Sequence, residues 1–232
     1  MKKFVYLLVI LLFPSLAYIL LSTGKHRMLL LPIYYPIDTK QTIVNGKEIT
    51  DTIYHTIPDF KFINQNGDTI TQNFITNKFF VADFFFTTCP TICPKMMFNM
   101  QQINVVTEKT PDFVIISHTV NPKHDSVPVL AKYAQLVHAD AKKWALVTGS
   151  KKDIYDMGID GYKLAVDEDP RAPGGFLHSE LFVLVDKQKR IRGYYDGTDS
   201  AAVNKLMRDI KMLSATYQAK EGKAQIIQKH HD

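Results

Sequence analysis

The two cysteines of this 232-residue chain, Cys89 and Cys93, stand four positions apart. They follow an apolar run at residues 79–86 that is typical of a buried strand, and they precede apolar residues at helical spacing. At the start of a helix, residues i and i+4 share one face, and the free N–H groups of the first turn stabilise a thiolate. Because thiolates bind soft metal ions and attack disulfides, the spacing predicts a metal site, a redox-active pair, or both.

A purely structural role for the two cysteines is the alternative. A disulfide that closes so short a loop would add little stability, because the entropy removed by a crosslink grows with the length of the loop. Proline follows each cysteine and two threonines precede the first, which indicates an exposed turn. We therefore favour a functional pair.

Two thiolates leave a metal site incomplete, and the eight histidines are the candidates for a third ligand. His178 has the best position, because it follows a Gly-Gly loop and leads into an apolar strand whose edge would lie beside the cysteines. His118 ends a predicted strand and is a candidate for a residue behind the ligands. The other six are expected in solvent or away from the site: His26, His55, His124, His138, His230 and His231.

Hydrophobic periodicity predicts strands and helices that alternate along the chain. In order, these are a hairpin at residues 60–71, a strand at 79–86, a helix at 94–108, a strand at 113–117, a helix at 127–137, a strand at 144–147, a short helix at 151–157, an extended segment at 162–166, a loop at 167–175, a hairpin formed by 181–185 and 191–195, and a helix at 201–217. This order predicts an α/β fold, a thioredoxin-like mixed sheet flanked by helices.

The N-terminus differs in character from the rest of the chain. Residues 4–21 carry no charge and have basic residues on both sides, which predicts a membrane anchor. A cleaved signal peptide, with a small-x-small site at residues 15–17, is the alternative. The expected organisation is an anchor at 1–27, a linker with a hairpin at 28–56, the thioredoxin-like domain at 57–217 and a flexible tail at 218–232.

The formal net charge is +5, and much of the excess lies near the two ends. No basic stripe is interleaved with aromatic residues, so nucleic-acid binding is not expected. Lysines beside an anionic membrane surface explain the charge better. We expect a single span in the cytoplasmic (inner) membrane, with the domain on the periplasmic or extracytoplasmic side.

Residues 84–96, FFFTTCPTICPKM, together with His178-Ser179 downstream, resemble the Sco (SenC) family of membrane-tethered, copper-binding, thioredoxin-like proteins. The resemblance covers residues 57–213, and its most specific part is C-P-x-x-C-P preceded by F-F-x-T. It implies that Cys89, Cys93 and His178 together bind one copper ion. Two thiolates and an imidazole suit Cu(I) and can also hold Cu(II).

The resemblance also implies a function. The chain would deliver copper to the dinuclear site of cytochrome c oxidase, with the copper-site subunit as its partner, or would reduce the cysteines there so that copper can enter. Other thioredoxin-like reductases are further candidate partners. Two departures from the family pattern concern ligand tuning and partner contacts: Asn121 replaces the first acid of a D-P-x-x-D element, and Leu177 replaces an Asp before the ligand histidine.

Two functions therefore stay open. One is a copper carrier with no turnover of its own, and the other is a thiol–disulfide oxidoreductase that uses the cysteine pair. A peroxidase of the same fold would need a T-x-x-C element, whereas Phe86 and Pro90 stand three residues before the two cysteines. This third function is disfavoured.

Overall fold

A computed structural model describes residues 12–15, 18, 30–44, 47–168 and 176–229. The chain separates into two units, residues 1–30 and residues 31–232. In the first unit, residues 12–15 and 18 are helical. No helix in the described ranges combines the length and the apolar character that a membrane span needs. Most of the predicted anchor lies outside the described residues.

The linker contains an antiparallel pair of strands, β1 (Pro36–Val44) and β2 (Lys47–Tyr54), which form a sheet of their own. Most of its described residues are exposed, because apolar and polar side chains are mixed on both faces and neither face is continuously apolar. The segment before β1 does bind the domain, since the Arg192 guanidinium donates hydrogen bonds to the carbonyl oxygens of Leu31 and Pro32.

A seven-stranded mixed sheet forms the centre of the second unit. The remaining strands of this unit are β3 (Lys61–Asn64), β4 (Thr69–Thr71), β5 (Phe79–Phe85), β6 (Phe113–Thr119), β7 (Trp144–Thr148), β8 (Val166–Glu168), β9 (Phe176–His178), β10 (Leu181–Val185) and β11 (Ile191–Asp196). Across the large sheet the order is β11-β10-β5-β6-β7-β3-β4, with β5, β6 and β7 parallel and the other pairs antiparallel. Strands β8 and β9 pair separately.

Four helices connect or follow these strands: α1 (Cys93–Val106), α2 (Val127–Leu136), α3 (Lys151–Asp156) and α4 (Ser200–Lys229). A 3-10 turn (Gln72–Ile75) and a π turn (Met157–Gly161) complete the described elements. The predicted helix starts are confirmed: α1 and α2 have proline in their first turn, and the Ser150 hydroxyl accepts the Asp153 N–H at the start of α3.

Two predicted boundaries were wrong. The last helix does not end near residue 217 but continues to Lys229, because residues 218–229 contain mostly strong helix formers and a single glycine. Asp167 and Glu168, expected in a loop, belong to β8, where backbone pairing with β9 outweighs their low strand propensity. The rest of that predicted loop, residues 169–175, lies outside the described residues.

The core lies on both sides of the central strands. Every residue of β5, β6 and β7 is buried, so both faces of these strands are covered, as the predicted mixed α/β fold with flanking helices requires. This core encloses one imidazole completely. The His118 ring stacks on Phe84 with ring centres 5.0 Å apart, meets Phe62 edge-on at 5.2 Å, and has Nε2 3.2 Å from the Tyr162 hydroxyl.

Burial makes His118 a source of acid sensitivity. It lowers the pKa of this imidazole from 6.5 to about 3, because the charged form would lose its hydration. The unfolded chain therefore binds more protons than the folded domain between these two pH values. The stability associated with neutral His118 is fully present above pH 6.5 and is lost as the pH falls toward 3.

The variant His118→Phe removes this proton uptake while keeping an aromatic ring in the core. Between pH 7 and pH 4, the free energy of unfolding should fall for both proteins, but the fall should be smaller in the variant. We expect the two falls to differ by on the order of 3 kcal/mol. Urea titrations of the reduced, metal-free protein measure this difference. His138→Asn, at an exposed position, is the control and should behave as the wild type. Equal acid sensitivity in His118→Phe and the wild type would contradict the prediction.

Candidate metal centre

The cysteine turn, residues 87–93, connects β5 to α1. Its backbone bends back on the strand, since the Cys89 N–H donates to the Phe86 carbonyl at 3.2 Å. Cys93 is the first residue of α1, and the proline that follows it lacks an N–H that would otherwise need a partner there. Neither cysteine forms a disulfide, and the two thiols are hydrogen-bonded to each other. Cys89 retains 9% of its surface and Cys93 only 1%, so Cys89 faces the opening.

The two thiols differ in acidity. Burial alone would raise the pKa of Cys89, but hydrogen bonds from the Cys93 thiol and from the backbone N–H groups of Thr91 and Cys93 outweigh it and hold the pKa below its ordinary value. Burial raises the pKa of Cys93 well above its ordinary value, and the hydrogen bond and charge of Cys89 and the charge of Asp83 act in the same direction. Cys89 is therefore the readier thiolate and Cys93 the thiol.

A buried carboxyl group in β5 influences the pair. Asp83 is fully enclosed, with Oδ1 accepting a 2.5 Å hydrogen bond from Ser117 and with Oδ2 having no hydrogen-bond partner among the described residues. Burial raises the pKa of Asp83 to about 7, although the Ser117 hydroxyl opposes part of the shift. Sequence reasoning missed this neighbour of Cys93, because one polar residue inside an apolar strand carries no signal of what it faces.

A second buried carboxylate holds the start of the cysteine turn. Asp125 accepts four hydrogen bonds, from Thr87 N–H (3.1 Å), Thr87 Oγ1 (2.5 Å), Thr119 Oγ1 (2.5 Å) and His124 Nδ1 (2.9 Å). Thr87 stands two residues before Cys89, and Thr119 ends β6. Asp125 therefore ties the ends of two neighbouring strands together and fixes the backbone that carries the first cysteine.

Asn121, which stands where the first acid of the D-P-x-x-D element is expected, stabilises the turn after β6. Its carbonyl oxygen accepts the Asp125 N–H at 2.9 Å, its own N–H donates to Thr119 Oγ1 at 3.0 Å, and its side-chain oxygen accepts the His124 N–H at 3.4 Å. The amide therefore stabilises the turn that presents Asp125. His124, expected away from the site, lies beside it, and sequence reasoning missed this because the position depends on how the turn folds.

The third predicted ligand, His178, is the last residue of β9, and its backbone lies opposite Val166 of β8. Strand β10 runs antiparallel to β5, so the residues just before β10 lie at the same end of the sheet as those just after β5. The backbone of His178 therefore belongs to the end of the sheet that carries the cysteine turn. The side chains of His178 and Leu177 lie outside the described part of the structure.

The described side chains provide part of a metal site. In the described ranges, no three His, Cys, Asp or Glu side chains converge as a metal site requires. What they provide is a pair of sulfur donors in mutual contact, one of them acidified. This donor set fits a soft cation such as Cu(I) and suits a hard cation such as Mg²⁺ poorly.

Residues 50–215 match the SCO1/SenC family, and the chain belongs to this family. The SCO1 protein homolog of Bacillus subtilis is 28% identical over 171 residues, which are 73% of this chain and 88% of that protein. The crystal structure of a SCO1/SenC family lipoprotein from Bacillus anthracis is 30% identical and superimposes with a TM-score of 0.62 over 68% of this chain and 95% of that one. The predicted family and thioredoxin-like fold are thus confirmed.

Two further solved structures indicate what the family does. BsSco, described as a member of the Sco family of cytochrome c oxidase assembly proteins and as having a disulfide switch, is 26% identical, with a TM-score of 0.61 over 69% of this chain and 94% of its own. ScoI of Bradyrhizobium japonicum, solved with copper bound, is 20% identical, with a TM-score of 0.58 over 68% and 99%, a likeness that shows the fold alone. Oxidase assembly is thus stated for one Sco family member, and bound copper for another protein of the same fold.

The variant Asp125→Asn tests whether this carboxylate positions the cysteine turn. The amide replaces an accepting oxygen by a donor, so the buried donors around it lose an acceptor. The free energy of unfolding should fall by about 1–3 kcal/mol, and Cu(I) binding should weaken by about 10–100-fold because the turn loses its support.

Urea titration and competition with a Cu(I) chelator measure the two effects of Asp125→Asn. Asp160→Asn, at an exposed position, is the matched control and should change neither quantity. A destabilised Asp125→Asn protein that bound Cu(I) as tightly as the wild type would show that the carboxylate supports the fold and does not position the cysteines.

Proposed function

We propose that the chain is a copper carrier that binds one copper ion through Cys89, Cys93 and His178 and delivers it to the dinuclear copper site of cytochrome c oxidase. The observation that carries this proposal is the hydrogen-bonded pair of thiols at the start of α1, neither of them in a disulfide and one of them acidified, in a SCO1/SenC family member. Two sulfur donors and an imidazole suit Cu(I), and they can also hold Cu(II).

The unequal acidity of the thiols suits sequential binding. Cys89, whose pKa lies below its ordinary value, offers the first sulfur ligand at a lower cost in proton release than Cys93. Cys93, whose pKa is raised by burial, keeps its proton until a cation is close enough to displace it. The Asp83 carboxyl group, whose charge acts on Cys93, is one acceptor for that proton. Without a bound metal ion, the two cysteines therefore do not hold two adjacent negative charges.

Strand pairing is what supports His178 as the third ligand of the proposed site. Its strand position assigns its backbone to the end of the sheet that carries the cysteine turn. An imidazole as the third donor would leave copper with three protein ligands and an open side, from which a client cysteine or histidine could take the ion. A carrier requires such release, since a closed four-ligand site would retain its metal.

We further propose membrane attachment. The relative from Bacillus anthracis is a lipoprotein, and the uncharged residues 4–21 of this chain support a single N-terminal span within residues 1–27. The domain would then face the periplasmic or extracytoplasmic side of the cytoplasmic membrane. The copper-site subunit of the oxidase would be the partner there.

Metal analysis of the full-length, reduced protein tests the carrier function. The wild type should retain about one copper per chain, and Cys89→Ser, Cys93→Ser and His178→Ala should each lose it during dialysis against a chelator, because each removes one of three ligands. His138→Asn is the control and should retain copper. A wild-type chain that retained no copper would contradict the proposal.

A second candidate function, thiol–disulfide exchange, is favoured by the same difference in acidity. The Cys89 thiolate would attack a client disulfide, and Cys93 would then resolve the mixed disulfide, leaving the client as a dithiol and the chain with a Cys89–Cys93 disulfide. His178 is dispensable in this reaction. If His178→Ala loses copper but still supports oxidase assembly, the exchange function is favoured over the carrier.

The exchange function requires Cys89 to be the nucleophile of the pair. Brief treatment of the reduced protein with iodoacetamide at pH 7 should modify Cys89 at least about tenfold faster than Cys93, because the thiolate reacts and Cys93 is protonated and enclosed. Mass spectrometry of the digested protein gives both rates from one sample. Equal rates, or faster modification of Cys93, would contradict the assignment.

A further inference from the structure

His124 lies beside Thr87, the first residue of the cysteine turn. Its Nδ1 is 3.4 Å from Thr87 Oγ1, and Thr87 stands two residues before Cys89. The α-carbons of Thr87 and Cys89 are therefore at most about 7 Å apart, because two peptide units span no more than that. Because β5 and β6 are parallel neighbours, His124, which follows β6, belongs to the same end of the sheet as the turn that follows β5.

A buried carboxylate orients the His124 ring. Its Nδ1 is 2.9 Å from Asp125 Oδ1, and because a carboxylate oxygen accepts, we assign the ring proton to Nδ1 and the lone pair to Nε2. Histidines that bind metal ions characteristically donate their other ring N–H to a carboxylate in this way. The backbone is also fixed, because the His124 N–H donates to Asn121 O at 3.1 Å. The free nitrogen is therefore presented by a rigid support.

His124 is also more accessible than the cysteines. Its side chain is 51% exposed, whereas Cys89 retains 9% of its surface. The other histidines with described side chains differ from it: His118 is enclosed by the core, His55 has Nε2 2.8 Å from Gly161 O, and His138 is exposed. Within the described part of the chain, His124 alone among them has a carboxylate partner.

We propose that His124 is an entry ligand for copper: its Nε2 binds the incoming ion at the surface, and the ion then passes to Cys89 and Cys93. This inference rests on the proposed carrier function. The transfer exchanges a nitrogen–copper bond for sulfur–copper bonds, leaves the oxidation state unchanged and passes the thiol protons to water or to the Asp83 carboxylate. For Cu(I) the softer sulfur ligands favour this direction. Asp125 bonds both His124 and Thr87, so it holds the first ligand against the start of the turn that carries Cys89.

The variant His124→Asn isolates the proposed role. The asparagine amide can replace Nδ1 as the donor to Asp125, but it has no group in the position of Nε2. His138→Asn is the matched control, because it makes the same substitution at an exposed position whose backbone φ of 54° asparagine tolerates. Each variant is compared with the wild type as the full-length, reduced protein.

Rapid mixing with Cu(I) held by a weak, coloured chelator gives the rate of uptake from the loss of chelator absorbance. His124→Asn should take up copper about tenfold more slowly, because binding at a first ligand makes the second step intramolecular. Its final stoichiometry and its affinity in chelator competition should equal those of the wild type. His138→Asn should match the wild type in all three quantities.

Each outcome of the uptake experiment supports or overturns the entry role of His124. Wild-type uptake rates in His124→Asn would overturn the entry role and leave the carrier function intact. Lost stoichiometry in His124→Asn would also overturn it, because the residue would then be a holding ligand. A wild type that takes up no copper would overturn the carrier function and this inference together.

A second measurement does not depend on the cysteines. In the double variant Cys89→Ser/Cys93→Ser, added Cu(II) should give an electron paramagnetic resonance signal with nitrogen coupling, and further substitution of His124→Asn should reduce that signal. An unchanged signal would show that His124 does not bind copper and would overturn the proposal.

Discussion

The hydrogen bonds that Asp125 accepts from Thr87 and Thr119 are the constraint on which the candidate site depends. A turn that follows a strand and contains a proline has little backbone pairing of its own. The buried carboxylate supplies the missing partners, since it binds both the N–H and the hydroxyl of Thr87. The position of Cys89 follows from that anchoring two residues earlier.

Sheet topology gathers the other components at the same place. Parallel pairing of β5 and β6 brings the segments after them, which contain the cysteines and His124, to one end of the sheet. Antiparallel pairing of β10 with β5 brings the segment before β10, which contains His178, to that end as well. Residues that are far apart in the sequence are thus assembled by strand pairing, while the burial of β5 and β6 keeps this framework rigid.

Electrostatics then makes the two sulfur atoms unequal. Local hydrogen bonds acidify Cys89, whereas burial, the neighbouring Cys89 and, to a smaller extent, the charge of Asp83 raise the pKa of Cys93 and keep it protonated. This difference is useful both to a metal carrier, which must stay reactive when empty, and to a thiol–disulfide exchanger. Because the same difference in acidity serves both functions, the cysteine pair by itself does not distinguish a carrier from an exchanger.

Local patterns predicted much of this molecule from its sequence. The buried strands, the hairpins, the helix starts and the cysteine turn each have a signal within about ten residues, as in the apolar run that precedes Cys89. The features that the sequence did not predict depend on contacts between distant segments. Asp83 and Asp125 are ordinary polar residues in the sequence, and burial against Ser117 and Thr87 gives them their roles. The end of α4 was missed because the apolar periodicity fades before the helix does.

The copper carrier function requires sulfur ligands from both cysteines. X-ray absorption spectroscopy of the full-length protein loaded with Cu(I) measures the atoms around the metal most directly. We expect two sulfur neighbours and one nitrogen neighbour per copper, contributed by Cys89, Cys93 and His178. A spectrum that showed only nitrogen and oxygen neighbours would contradict the account, because the copper would then be bound away from the cysteine turn.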